Sequence, residues 1–165
     1  MKQKPARIGV FDSLEREELG RQLLGSVRAR EESNGVELRL IGNVDQKWKQ
    51  LLEESGVEYS ESGFVSDDAN LFDEFDACTV GLSGTSIFRL GKSGSTAAML
   101  EAGLPVVVGD AGWRPWRFPH FSPPLPFACI DSQAFANGIS PKEMRSPAPK
   151  LPETVEKLRR IFSDL

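Results

Sequence analysis

Apolar positions along the chain fall into two rhythms. Residues 7–11 (RIGVF), 36–42 (VELRLIG), 57–60 (VEYS), 77–82 (ACTVGL), 105–109 (PVVVG) and 127–131 (FACID) are short alternating or continuously apolar runs with strand character. Between them lie stretches with apolar residues at helical spacing. Ser13 stands as an N-cap before Leu14, Leu19, Leu23, Leu24 and Val27, with acids in the first turns and Asn34-Gly35 at the end. Asp45 caps a helix with Trp48, Leu51 and Leu52 on one face, which Gly56 stops. Asp67 or Asp68 opens a third helix, a fourth runs to Ala102, and residues 151–165 form a terminal helix with Pro152 at its start.

Six strands alternating with helices predict an α/β fold: a Rossmann-like three-layer sandwich, its six-stranded parallel sheet covered by helices on both faces. Strand order 3-2-1-4-5-6 is expected, and ligands in such sheets bind beyond the carboxyl ends of the strands where that order reverses. The loop after the fourth strand lies beside that point. Two segments break the pattern. Residues 111–126 hold five prolines, Trp113, Trp116 and His120, and the two tryptophans among arginines suggest an interface. His120 has no acid near it in sequence and is read as structural. Residues 139–152, rich in Pro and Ser, are expected to link to the last helix.

Composition narrows the classes. A chain of 165 residues is about one domain long, so residues 1–165 are expected to form a single domain. A net charge of -4 argues against a nucleic-acid partner. No apolar run approaches the roughly 20 residues of a membrane span, and the amino-terminal residues lack the form of a signal peptide. Cys78 and Cys129 sit within apolar strands and are read as core thiols, which suits a cytoplasmic setting. With one histidine and no metal-ligand spacing, no metal is expected.

Candidate chemistry concentrates in residues 84–103, GTSIFRLGKSGSTAAMLEAG. The GKS at Gly91–Ser93 matches the end of a phosphate-binding P-loop, with Asp110 as a magnesium-holding acid. That motif requires a glycine five residues before Gly91, and Ser86 stands there, with bulky IFRL behind it. No G-x-G-x-x-G follows the first strand, so a dinucleotide cofactor is not expected. A third reading starts from Gly94, where backbone can approach a ligand. The free amides and partial positive charge of the helix start then form an anion site. Ser93, Ser95 and Thr96 add hydroxyls, and Arg89 and Lys92 add cationic charge.

The run from Gly63-Phe64-Val65 through an acidic helix, DACTVGL and GKSGSTAAMLEAGLPVVVG resembles the carboxy-terminal half of a GT-B glycosyltransferase, nearest to family 4. The family pattern is a glycine-led turn and a helix ending in Glu-Ala-Met-Ala-x-Gly-x-Pro-Val-Val, beside which this chain has LEAGLPVVV. The likeness covers roughly residues 36–109. It implies a donor-binding domain for a nucleotide sugar, UDP- or GDP-linked, without a metal requirement. Gly94, Ser95 and Thr96 would meet the diphosphate, Glu101 the ribose hydroxyls, and Gly63 and Phe64 the nucleobase. The family's first glutamate falls on Ser93, and its basic clamp after the first strand is replaced by acidic FDSLEREELG, leaving Arg89 or Lys92 to serve. The resemblance also implies a missing acceptor-binding half, an amino-terminal domain or a partner chain, without which sugar transfer is not expected. A P-loop phosphotransferase using Lys92, Ser93 and Asp110, or a non-catalytic binding or interaction domain, are the alternatives.

Overall fold

The computed structural model describes residues 6–11, 13–110 and 128–138. Residues 113, 116 and 120, the expected linker and the terminal helix lie outside these. Six parallel strands form one sheet: β1 (Ala6–Val10), β2 (Val36–Leu40), β3 (Tyr59–Glu61), β4 (Val80–Leu82), β5 (Val106–Val108) and β6 (Cys129–Asp131). Their order is β3-β2-β1-β4-β5-β6, as the alternation predicts, and it reverses between β1 and β4. The connecting helices are α1 (Glu17–Asn34), α2 (Gln46–Ser55), α3 (Asp68–Asp76) and α4 (Gly94–Glu101), with a short α5 (Ser132–Ala136) after β6.

Alternation along each strand sorts the side chains into two cores. Ile8, Val10, Leu38, Leu40, Val80, Leu82, Val107 and Ile130 pack on one face against Leu19, Leu23 and Val27 of α1, Trp48 and Leu52 of α2, and Phe135 of α5. On the other face Val106, Val108 and Cys129 pack with Phe75 of α3 and Met99 of α4. Burial pushes both thiols, Cys78 and Cys129, up to about 11. Gly81 brings α4 onto the sheet, because a Cβ there would lie 2.5 Å from the Met99 Sδ.

The second face is not apolar throughout. Glu37 and Arg39 of β2 point to it. There the Arg39 Nε and Nη2 donate to both carboxylate oxygens of Glu74 on α3, at 3.0 and 2.8 Å, and Arg7 pairs with Glu37 at 3.2 Å. The bidentate pair straps α3 across β2, and the bonded Arg39 holds the Glu74 carboxyl below its usual range.

Local chemistry sets the helix ends. Asp45, Asp67 and Asp131 cap α2, α3 and α5, and Gly56 closes α2 at φ 66°. The α1 start differs from expectation. The helix begins at Glu17, four residues after Ser13. Residues 13–16 instead cross the end of β4: a Cβ on Gly84 would lie 2.3 Å from the Ser13 carbonyl oxygen, and the Glu15 N–H donates to the Gly84 carbonyl at 2.9 Å. Among the described residues no helix is long and apolar enough to cross a membrane.

Candidate functional site

The reversal between β1 and β4 brings together the β1–α1 loop, the β4–α4 loop and the end of β5. Glu15 joins the first two. Beyond its N–H bond to Gly84, its carboxylate accepts from the Ser86 N–H at 2.9 Å and from Arg89 Nη1 at 3.4 Å. Burial raises the Glu15 pKa, but the Ser86 and Arg89 contacts outweigh it and leave the carboxyl below the ordinary value. Beside this clasp lies a cavity of about 170 Å³ lined by Arg16, Leu19, Phe88 and Asp110 together with Glu15, Ser86 and Arg89. Nothing in the sequence singled out Glu15 or Arg16, which read there as first-turn helix residues.

Residues Ile87–Lys92 form a 3-10 helix. Amides in and beside it bond within the fold: Ile87 donates to the Gly109 carbonyl, Arg89 to Ser86, and Ser93 to Leu90. A P-loop needs such amides turned toward a phosphate, so this geometry speaks against the P-loop reading. Asp110 accepts from Gln22 Nε2 at 3.3 Å.

Ser93 is the N-cap of α4. Its Oγ accepts the Thr96 N–H at 3.2 Å, and its carbonyl accepts the Ala97 N–H at 3.1 Å. The other two first-turn amides, those of Gly94 and Ser95, have no acceptor among the described residues. Gly94 is exposed, and a Cβ built on it would meet nothing within 4 Å.

Proton accounting separates the three hydroxyls. Ser83 Oγ donates its one proton to the Thr85 carbonyl at 3.1 Å, so the 2.8 Å contact between Ser83 and Thr96 uses the Thr96 proton. Ser93 in turn donates to Thr96 Oγ1 at 2.8 Å. Each proton in this chain runs inward, toward the end of β4. Thr96 is 2% exposed and Ser83 0%. Of the hydroxyls expected to face an anion, Ser95 alone can turn its proton outward, from its 3.2 Å contact with Ser93.

The remaining candidates are scattered. Lys92 is exposed next to the N-cap, while Arg89 is engaged with Glu15. Glu101 is exposed at the last residue of α4, roughly 10 Å along the axis from Gly94 at the rise of an α-helix. The structure does not bring it to the helix start. Counted back from Pro105, the glutamate of the resembled pattern falls on Ala98, almost a turn before Glu101. Gly63 turns the chain at φ 73° and leaves Phe64 86% exposed at the carboxyl end of β3. Phe64 also rims a cleft of about 370 Å³ against α3, with Arg39 and Asn70. Among the described residues no group of three His, Cys, Asp or Glu side chains could hold a metal ion.

Solved structures share this fold. One is the lipopolysaccharide outer core galactosyltransferase WaaB, 19% identical, with 99% of this chain matched to 51% of that one at a TM-score of 0.52. Another is Alr3699/HepE of Anabaena, determined in complex with UDP and glucose, 17% identical, with 98% of this chain matched to 49% of that one at a TM-score of 0.53. The present chain thus spans about half the length of these neighbours and carries their Rossmann-like fold over that half. No protein-family model and no curated protein sequence matches the chain.

Proposed function

We propose that this chain binds a nucleoside-diphosphate sugar as the donor half of a GT-B glycosyltransferase, with family 4 as its nearest kin. The observation that carries the reading is the start of α4. Two amides, those of Gly94 and Ser95, have no acceptor among the described residues, and a doubly charged group there gains from both the N–H donors and the helix dipole. In this reading the diphosphate rests on those amides, the Ser95 hydroxyl turns outward to it, and Lys92 adds a cation. Donors fixed in place also stabilise the charge that builds on a departing diphosphate. Phe64, exposed beyond β3, offers a face to the nucleobase. Glu101 is left out because it sits at the wrong end of its helix, and Arg89 is left to Glu15. The neighbour that holds UDP and glucose supports this class of ligand. In this reading amides and Lys92 meet the charge, and the donor, a UDP- or GDP-sugar, binds without a metal. The acceptor half comes from another domain or a partner chain, and this chain alone does not transfer sugar.

Titration of the chain with UDP-glucose, UDP-galactose, GDP-mannose and ATP, each with EDTA and with magnesium, tests this. Saturable binding of a UDP- or GDP-sugar, unchanged by EDTA, is expected. Binding of ATP alone and only with magnesium, or no nucleotide binding at millimolar concentration, contradicts it.

A further inference from the structure

The buried hydroxyl chain beneath α4 has more order than a helix cap requires. A cap needs one acceptor for one amide, which Ser93 Oγ already supplies to Thr96. Here three hydroxyls are linked from the helix start to the strand end: Ser93 to Thr96 at 2.8 Å, Thr96 to Ser83 at 2.8 Å, and Ser83 to the Thr85 carbonyl at 3.1 Å. The count closes. Ser83 Oγ accepts the Thr96 hydroxyl and the Thr85 N–H at 3.2 Å, and Ser93 Oγ accepts the Thr96 N–H. Ser83 is itself fixed to the neighbouring strand, its N–H donating to the Val107 carbonyl at 2.9 Å. The chain therefore runs from β5 through the end of β4 into the first turn of α4. Thr96 is its middle member, bonded through its hydroxyl to both Ser83 and Ser93 and through its N–H to Ser93 Oγ.

We propose that Thr96 is a positioning residue for the diphosphate. It never touches the ligand. Through Ser83 and Ser93 it holds the first turn of α4 at the angle from which the Gly94 and Ser95 amides converge on the phosphates. The inference rests on the donor reading above and adds a residue to it. Its physical basis is the cost of loosening a satisfied network whose inner members, Ser83 and Thr96, are buried. Replacing Thr96 by valine keeps the volume but leaves the Ser83 and Ser93 hydroxyls each short of a partner, so the first turn finds a new position to satisfy them. Threonine to serine keeps the hydroxyl.

The test uses the full chain and whichever of UDP or GDP it binds more tightly, together with the matching nucleoside, followed by NMR or calorimetric titration. Thr96→Val is expected to weaken the diphosphate on the order of tenfold and leave the nucleoside within twofold, while Thr96→Ser restores the diphosphate to within about twofold of wild type. Ser83→Ala, which removes the inner acceptor and spares α4, is expected to give a severalfold loss of the diphosphate only and serves if Thr96→Val does not fold. Equal losses for diphosphate and nucleoside overturn the inference, as does a Thr96→Ser protein as weak as Thr96→Val. So does unchanged diphosphate binding in Thr96→Val and Ser83→Ala. A wild-type chain that binds diphosphate no better than nucleoside overturns the donor reading itself, and the two failures are thereby told apart.

Discussion

Thr96 and Glu101 stand five residues apart on one short helix and illustrate how position along an axis decides what a side chain can do. Thr96 lies in the first turn, where amides lack intrahelical partners, and its hydroxyl is committed to the protein. Glu101 lies at the opposite end, where carbonyls rather than amides are left over and an anion gains nothing from the helix. A carboxylate there is a surface group. Glu101→Ala is accordingly expected to leave nucleotide-sugar affinity within about twofold of wild type, measured by the same titration. A loss on the order of tenfold would place the ribose at the carboxyl end of α4 and would require a ligand pose that bypasses Gly94. Sequence alone favoured Glu101 because the string LEAGLPVVV ends like the resembled pattern. The count back from Pro105 puts the pattern's glutamate at Ala98, and the eight-residue length of the helix then sets Glu101 at the far end from the first-turn amides.

At the scale of elements, the two faces of the sheet are held by different forces. The α1–α2–α5 face is closed by apolar side chains, whereas α3 is tied down in part by the Arg39–Glu74 pair, both side chains 23% exposed. Glu74 has its folded pKa depressed by Arg39, so its contribution is present above the unfolded value, about 4.3, and is lost as pH falls through the lower folded value. Glu74→Gln is expected to cost about 1–2 kcal/mol at pH 7. In urea melts that difference from wild type should shrink as pH drops below about 4. A gap constant from pH 7 to pH 3 would show that the ion pair does not hold α3. The strands and their order were legible because period-two strands alternate with four period-3.6 helices from β1 to β5. The start of α1 was not. Ser13 has every local mark of an N-cap, yet the segment from Ser13 is pulled across β4 by Glu15, whose partners Gly84 and Ser86 lie about 70 residues away. The direction of the hydroxyl protons was equally hidden, since the strand-end acceptor that sets it, Ser83, precedes Thr96 by thirteen residues.

For the molecule as a whole, the sheet, its reversal and the open helix start sit together at one edge of a domain that matches about half of its structural neighbours. In the proposed function the acceptor-binding half covers this edge. In that proposal transfer requires both halves, while donor binding is assigned to this one. The central claim is therefore that the amides of Gly94 and Ser95 receive a diphosphate. It is tested most directly by ¹H–¹⁵N correlation spectra of the labelled chain titrated with UDP and with GDP. The account predicts that the Gly94 and Ser95 amide signals move downfield in a saturable way with at least one of the two, and stay in place when the matching nucleoside is added. Saturable binding that leaves both signals unmoved, or no binding of either nucleotide at millimolar concentration, would contradict it.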